Sequence, residues 1–225
     1  MKSMKSQSQQ SGFTLVEIAI VLVIIGLLLG GILKGQELIN SAKVKNIAND
    51  FRVIPTYIYA YQDKFRALPG DDAQADTHVT GATVSSTGPV GNGVINGLWN
   101  STTVTDESFL FWQHVRLANL ASGPTVVTDP GYIPTNAVGG KIGISSATAA
   151  QTQILNMTGT YQVCSGGILG KFVKQLDIQM DDGNTATGSL RATAEPVGAV
   201  GAAAVPTTGA GGIDDATNYT VCMTF

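Results

Sequence analysis

One apolar run constrains this chain more than any other feature. From Phe13 to Leu33 the residues are apolar except for Thr14 and one full charge, Glu17. No charge occurs between Ile18 and Leu33. The run matches the roughly 20 residues, at about 1.5 Å rise each, that carry a helix across a bilayer. A short polar, basic segment, residues 1–12 with Lys2 and Lys5, precedes it. A secretory signal peptide would have a shorter apolar region, about 7–15 residues, and then a small-residue cleavage site. Here polar sequence of helical pattern follows instead. A plain membrane anchor fits the length but leaves Glu17 unexplained. A carboxylate costs on the order of 2.5–3.5 kcal/mol near the centre of a membrane helix, and less near the interface. Such a charge requires a partner.

A third reading supplies that partner. The string Gly12-Phe13-Thr14-Leu15-Val16-Glu17, behind a basic leader and ahead of an unbroken apolar run, resembles the cleavage motif of type IV prepilins and type II secretion pseudopilins. The resemblance implies that a membrane peptidase cuts after Gly12 and N-methylates Phe13. It also implies that Glu17 serves assembly. Cleavage creates an amine at Phe13, and Glu17 lies one helical turn further on. In a staggered stack of such helices, one subunit's Glu17 reaches its neighbour's Phe13 amine. Low-dielectric surroundings strengthen that attraction and penalise an unpaired carboxylate. One such pair sets register, as a polar core residue does in a coiled coil.

Helical pattern continues beyond the apolar run. Val44, Ile47, Phe51, Ile54, Ile58, Tyr61 and Phe65 recur at alternating spacings of three and four, which is one face of an α-helix. A helix over 13–65 would be about 80 Å long. Pro55 lies inside the pattern, where it removes one backbone donor and predicts a bend. Many pilins carry a proline in the membrane half; this chain has Gly26, Gly30, Gly31 and Gly35 there instead. Adjacent glycines cost a helix roughly 2 kcal/mol against alanine, which close helix–helix approach or local melting in a filament would justify.

Leu68-Pro69-Gly70-Asp71 ends the helix with turn chemistry, and a loop-rich stretch runs to Thr105. A second helix is expected from Asp106 to about Ala121, burying Phe109, Trp112, Leu117 and Leu120 and stopped by Ser122-Gly123-Pro124. Residues 140–145, 151–157, 161–164, 189–193 and 219–225 read as strands, and 168–180 as a short helix. The expected fold class is α+β: a long N-terminal spine helix packed on an antiparallel β-sheet domain. The expected organisation is a leader over 1–12, a spine helix over 13–65 with its membrane and polymerisation segment at 13–33, and a globular domain over 66–225. Three further strings, at 61–72, 111–118 and 176–183, resemble large prepilin-like proteins more loosely.

The chain has 225 residues, with 13 Lys+Arg against 16 Asp+Glu. This acidic balance gives no electrostatic footprint for nucleic acid. Cys164 and Cys222 read as one disulfide in an exported protein and as two free thiols in a cytosolic one. The pilin resemblance implies the bridge, because pilins commonly close an exposed variable region with a C-terminal disulfide. The low-complexity stretch 192–212 lies between the two cysteines.

Two acidic clusters raise the question of calcium: Asp71, Asp72 and Asp76, and Asp177, Asp181 and Asp182 with Asn184. Some pseudopilins bind calcium in C-terminal loops. Neither cluster has the regular alternation of an EF-hand loop, so capping and turn chemistry is the plainer reading, and Asp177, Asp181 and Asp182 remain the calcium candidates. No other cofactor is expected. Gly91-Asn92-Gly93 is a turn without a P-loop lysine, and His114 reads as a helix-surface or packing residue. Ser165-Gly166 lacks a nucleophile elbow, and no catalytic constellation is evident.

The sequence therefore predicts a non-enzymatic subunit of a type IV pilus or related filament. A secretion pseudopilin, or a membrane-anchored binding protein, is the alternative. The implied partners are copies of itself, other pilins, the prepilin peptidase and methyltransferase, an inner-membrane assembly platform, and lipid before assembly. The implied location is the inner membrane with a periplasmic domain, then an extracellular pilus or a periplasmic pseudopilus.

Overall fold

A computed structural model describes residues 14–195 and 200–225. Its elements in order are α1 (Leu15–Phe65), α2 (Ala75–His78), α3 (Glu107–Leu117), β1 (Ile142–Ser146), β2 (Tyr161–Leu169), α4 (Gly170–Met180), β3 (Leu190–Ala194) and β4 (Asn218–Thr224). The expected α+β class holds: one long helix, then a four-stranded antiparallel sheet in the order β1-β2-β4-β3. Two compact units are present, Met1–Ala42 and Lys43–Phe225, and the boundary falls within α1.

In the second unit, the stripe read from the sequence is the buried face of α1. Val44, Ile47, Phe51, Ile54, Ile58 and Tyr61 are buried, and Ala48 joins them. Five of these stripe residues, Val44 through Ile58, share one core cluster with Phe111 of α3, Ile144 of β1, Val163 of β2 and Val221 of β4. Each large side chain buried there contributes about 1.5–3 kcal/mol. Phe65, the last residue of the stripe, is only half-buried. Helix α1 runs through Pro55 and ends where Arg66 takes a left-handed φ of 58°.

Several expected elements shift. Helix α3 stops at Leu117, before the predicted Ser122-Gly123-Pro124, because Asn119 turns left-handed and Leu120 and Ala121 donate back to the Val115 carbonyl. Leu117 and Leu120 are consequently half-buried rather than core. Ile168 and Leu169 are not helical; they extend β2 by pairing with Tyr219 and Asn218. Residues 151–157 form no ladder strand. The Gln162 side chain takes the Gln153 amide and donates to the Gln151 carbonyl, and Thr152 turns back onto Thr148. Only an isolated parallel bridge, Ile154 to Ala202, remains there.

Strand β2 carries a bulge. Its register against β4 slips between Ser165 and Ile168, with Gly167 at φ 69°. The amide that the bulge frees donates to Glu195 at 2.7 Å.

Candidate functional site

The first turn of α1 carries the N-terminal chemistry. Thr14 precedes the helix, and Glu17 sits three residues on. The Thr14 amide and hydroxyl both donate to Glu17 Oε2 at 2.8 Å, and the Glu17 amide donates back to Thr14 Oγ1 at 3.3 Å. This is a reciprocal capping box, which satisfies donors that a helix start leaves free. It also fixes the direction of the carboxylate. Among the described residues, Oε1 has no hydrogen-bond partner. Thr14, which the sequence presents as an interruption of the apolar run and as one member of the cleavage string, is thus the residue that orients Glu17. Gly12 and Phe13 lie outside the described residues.

From Ile18 to Leu33 the helix offers only apolar surface. Every Leu, Ile and Val from Leu15 to Leu33 is exposed. The segment is long and apolar enough to cross a membrane, with a mean hydropathy of 2.8 over its best 18-residue window. At Gly26, Gly30, Gly31 and Gly35, an added Cβ would meet nothing within 4 Å. These glycines therefore answer no packing need inside the subunit.

In the acidic cluster at the exit of α1, Asp71 and Asp72 are buried and engaged within the protein, whereas Asp76 is exposed. Asp71 accepts the amides of Gly91, Asn92 and Gly93, so the Gly-Asn-Gly turn forms a small anion nest filled by the chain's own carboxylate. Asp72 accepts from the Tyr61 hydroxyl at 2.8 Å, from His78 Nδ1 at 2.7 Å and from the Gln74 amide at 2.9 Å. Burial pushes the Asp72 carboxyl up, but the bonds from His78, Gln74 and Tyr61 outweigh it and hold it below its usual value. A cleft of about 580 Å³ opens beside these groups, between Phe65, Arg66, Gln74, His78 and Tyr161.

His114 is not on a helix surface. It is completely buried and bridges two loops. The Gly70 amide donates to its Nδ1 at 2.9 Å, so Nε2 carries the proton and donates to the Thr83 carbonyl at 2.8 Å. Burial holds its pKa below the usual histidine value. It is a packing residue in the neutral form.

The second acidic cluster differs from the first. Asp177, in the last turn of α4, is completely buried, and neither of its oxygens has a hydrogen-bond partner of normal geometry. One carboxylate oxygen from each of Asp177, Asp181 and Asp182 lies within 4.8 Å of the others. Burial first, then Asp182 and Asp181, push the Asp177 carboxyl up to about 6, and the Gly183 amide offsets this only in part. Asp181 Oδ2 accepts the Leu190 amide at 2.7 Å, and Asp182 accepts from the Asn184 amide and the Thr187 hydroxyl.

Cys164 and Cys222 are joined, with Cα atoms 4.0 Å apart and a sequence separation of 58. They are direct register partners on β2 and β4, the two central strands, and both are completely buried. The bridge therefore clamps the middle of the sheet as well as closing the Ala/Gly-rich segment. Residues 196–199 of that segment lie outside the described residues.

The family model for the prokaryotic N-terminal methylation motif matches residues 7–33. Neither curated proteins nor solved structures gave a match. The matched stretch covers the polar end of the leader over 7–12, with Gly12, then Phe13, the Thr14–Glu17 capping box and the charge-free apolar run. This motif is the signature of prepilin-like proteins of the type IV pilin and pseudopilin kind.

Proposed function

We propose that the chain is a non-enzymatic structural subunit of a type IV pilus or related filament, cut after Gly12, methylated at Phe13 and assembled through α1. The observation that carries this reading is the combination on one helix face-set: an exposed, charge-free apolar run with a single carboxylate fixed at its head. Such a surface is stable in lipid or against copies of itself, and not in water. The capping box leaves Glu17 Oε1 free to receive a cation, and the new Phe13 amine of a neighbouring subunit is a cation of suitable position. Gly30 and Gly31 add a smooth patch that suits close helix–helix approach. Before assembly the precursor rests in the inner membrane with its domain on the periplasmic side, where the disulfide forms. A type II secretion pseudopilus would use the same N-terminal chemistry.

Intact mass of filament protein tests the processing. The expected chain begins at Phe13 and carries one added methyl; assembled material retaining Met1–Gly12 overturns the proposal. Gly12→Val should leave precursor in the membrane. Glu17→Val should insert normally, because it only lengthens the apolar run, yet fail to polymerise. Normal filament yield from Glu17→Val refutes the pairing with Phe13. Surface filaments lost on deletion mark a pilus, whereas lost protein secretion marks a pseudopilus.

A further inference from the structure

We propose that a cleft on the sheet face away from α1 binds a neutral saccharide, a hexopyranose ring held through its hydroxyls by Glu195, Lys141 and Asn100. Side chains along β2 and β4 alternate between two faces. Val163 and Val221 belong to the core that α1 covers, whereas Cys164 and Cys222 pack with Trp99 on the other side. Gly166 and Thr220, each two residues from one of these cysteines, share the Trp99 face. There Trp99, Asn100, Lys141, Glu195 and Thr220 line a cleft of about 380 Å³ over a floor of glycines. Small-molecule sites occupy roughly 300–1,000 Å³.

The bulge in β2 builds that floor. Gly140 approaches it so closely that a Cβ there would lie 1.8 Å from the Gly166 carbonyl oxygen. A Cβ on Gly166 would lie 2.9 Å from Glu195 Oε1 and 3.5 Å from Cη2 of Trp99. A side chain at Gly166 would therefore part Glu195 from Trp99, and its absence keeps the cleft open between them. Gly139, at φ +88°, lines the same cleft, and a Cβ there would meet nothing within 4 Å.

The bulge also aims a carboxylate. Glu195 Oε1 accepts the freed Gly167 amide at 2.7 Å and the hydroxyl of the completely buried Thr220 at 2.8 Å. Both anchors belong to central strands of the sheet, so the side chain is ordered before any ligand arrives. Its other oxygen, Oε2, has no hydrogen-bond partner among the described residues. The Lys141 ammonium and the Asn100 side chain have none there either. Lys141 is exposed, and Asn100 and Glu195 are half-buried.

These free groups select the ligand. Glu195 offers only acceptors, Lys141 only donors, and Asn100 both. The charges of Glu195 and Lys141 cancel, so the cleft has no net charge with which to hold an ion. An apolar ligand would strip water from three polar groups and return nothing. A ring of neighbouring hydroxyls matches the mixture, since each hydroxyl donates one bond and accepts others. The C–H face of such a ring packs on the glycine floor and the Trp99 wall. The second half of α1 packs on the opposite face, so the site stands whether or not α1 assembles a filament.

The test uses the full chain in a zwitterionic detergent, which has no sugar headgroup to compete. Methyl glucoside, methyl galactoside and N-acetylglucosamine are titrated separately and followed by saturation-transfer NMR, with mannitol, sodium acetate and lysine as controls. At least one of the rings should bind saturably with a Kd of about 1–10 mM, and the controls should not. Glu195→Gln keeps an acceptor for Gly167 and Thr220 but turns the free oxygen into a donor, so it should weaken binding at least tenfold. Gly139→Asn tolerates the left-handed backbone and places a side chain at the cleft without striking the protein, so it should block binding while melting with the wild type. That second variant keeps the result readable if Glu195→Gln loosens the bulge. No saturable response to any of the three sugars at 100-fold the expected Kd overturns the proposal. Equal affinity in the wild type and both variants, or an equal response to mannitol, acetate or lysine, does so as well.

Discussion

Gly70→Ala should be the most damaging glycine substitution at the exit of α1, because two separate penalties meet there. The residue has φ +91°, and an added Cβ would lie 2.3 Å from the backbone carbonyl oxygen of Glu107. Left-handed backbone costs an L-residue roughly 1–2 kcal/mol. The overlap is with backbone at the start of α3, which cannot swing aside as a side chain would. Relief means moving the loop, which breaks the 2.9 Å bond from the Gly70 amide to His114. That leaves a completely buried imidazole nitrogen unpaired, at about 1–3 kcal/mol. The sum is about 2–5 kcal/mol, whose upper part is the high end for one residue. Two other glycines separate the causes. Gly81 has φ +86° and nothing within 4 Å, so Gly81→Ala carries the backbone penalty alone, about 1 kcal/mol after its entropic gain. Gly143 has no positive φ but would place a Cβ 1.6 Å from the Trp99 carbonyl oxygen, so Gly143→Ala carries the overlap alone. Thermal melting followed by tryptophan fluorescence, on the full chain in detergent, compares the three. For a chain of this size 1 kcal/mol is about 2–4 °C. Gly81→Ala should cost about that much, and Gly70→Ala on the order of 10 °C. If Gly70→Ala melts with Gly81→Ala, the close approach to Glu107 is not a constraint and the reasoning is wrong.

Glu107 supplies a pH prediction. Burial first, then the Asp71 and Asp106 charges, raise its carboxyl to about 7 from 4.5, against bonds from the Asn96 amide and side chain. Because the folded value lies above the unfolded one, its contribution is full below about pH 4.5 and is lost as pH rises through 7, by at most about 3 kcal/mol. The midpoint of Glu107→Gln minus that of the wild type should therefore grow over that window; a difference independent of pH would contradict the assignment. His114, held neutral by burial, acts in the opposite sense and loses stability as pH falls below about 6.5, but it is common to both chains and cancels in the comparison. The Cys164–Cys222 bridge closes a separation of 58 residues, for which chain entropy gives about 4 kcal/mol. Cys222→Ser should lower the midpoint by roughly 8–16 °C and open the C-terminal strand to protease. Two titratable thiols in the native wild type would refute the bridge.

The sequence alone determined the features that depend on short-range repetition. The apolar run, the carboxylate at its head and the three-four spacing of Val44 to Tyr61 are local patterns, and a helix turns local spacing directly into a face. Four strands were legible to within a few residues for the same reason. The pairing of Cys164 with Cys222 required a statement about the compartment, since spacing cannot distinguish a bridge from two thiols. Tertiary structure decided what depends on which distant groups arrive. Residues 151–157 have the composition of a strand, but side chains of Gln162 and the turn at Thr148 took their backbone bonds first. His114 reads from the sequence as either a helix-surface or a packing residue, and Gly70 and Thr83, which close over it, decide for packing. The two acidic clusters are indistinguishable as strings of Asp. In the fold, three backbone amides of a distant turn arrive at Asp71, while none of normal geometry arrives at Asp177. A carboxylate's role is set by the donors that surround it, and those come from parts of the chain that only folding brings together.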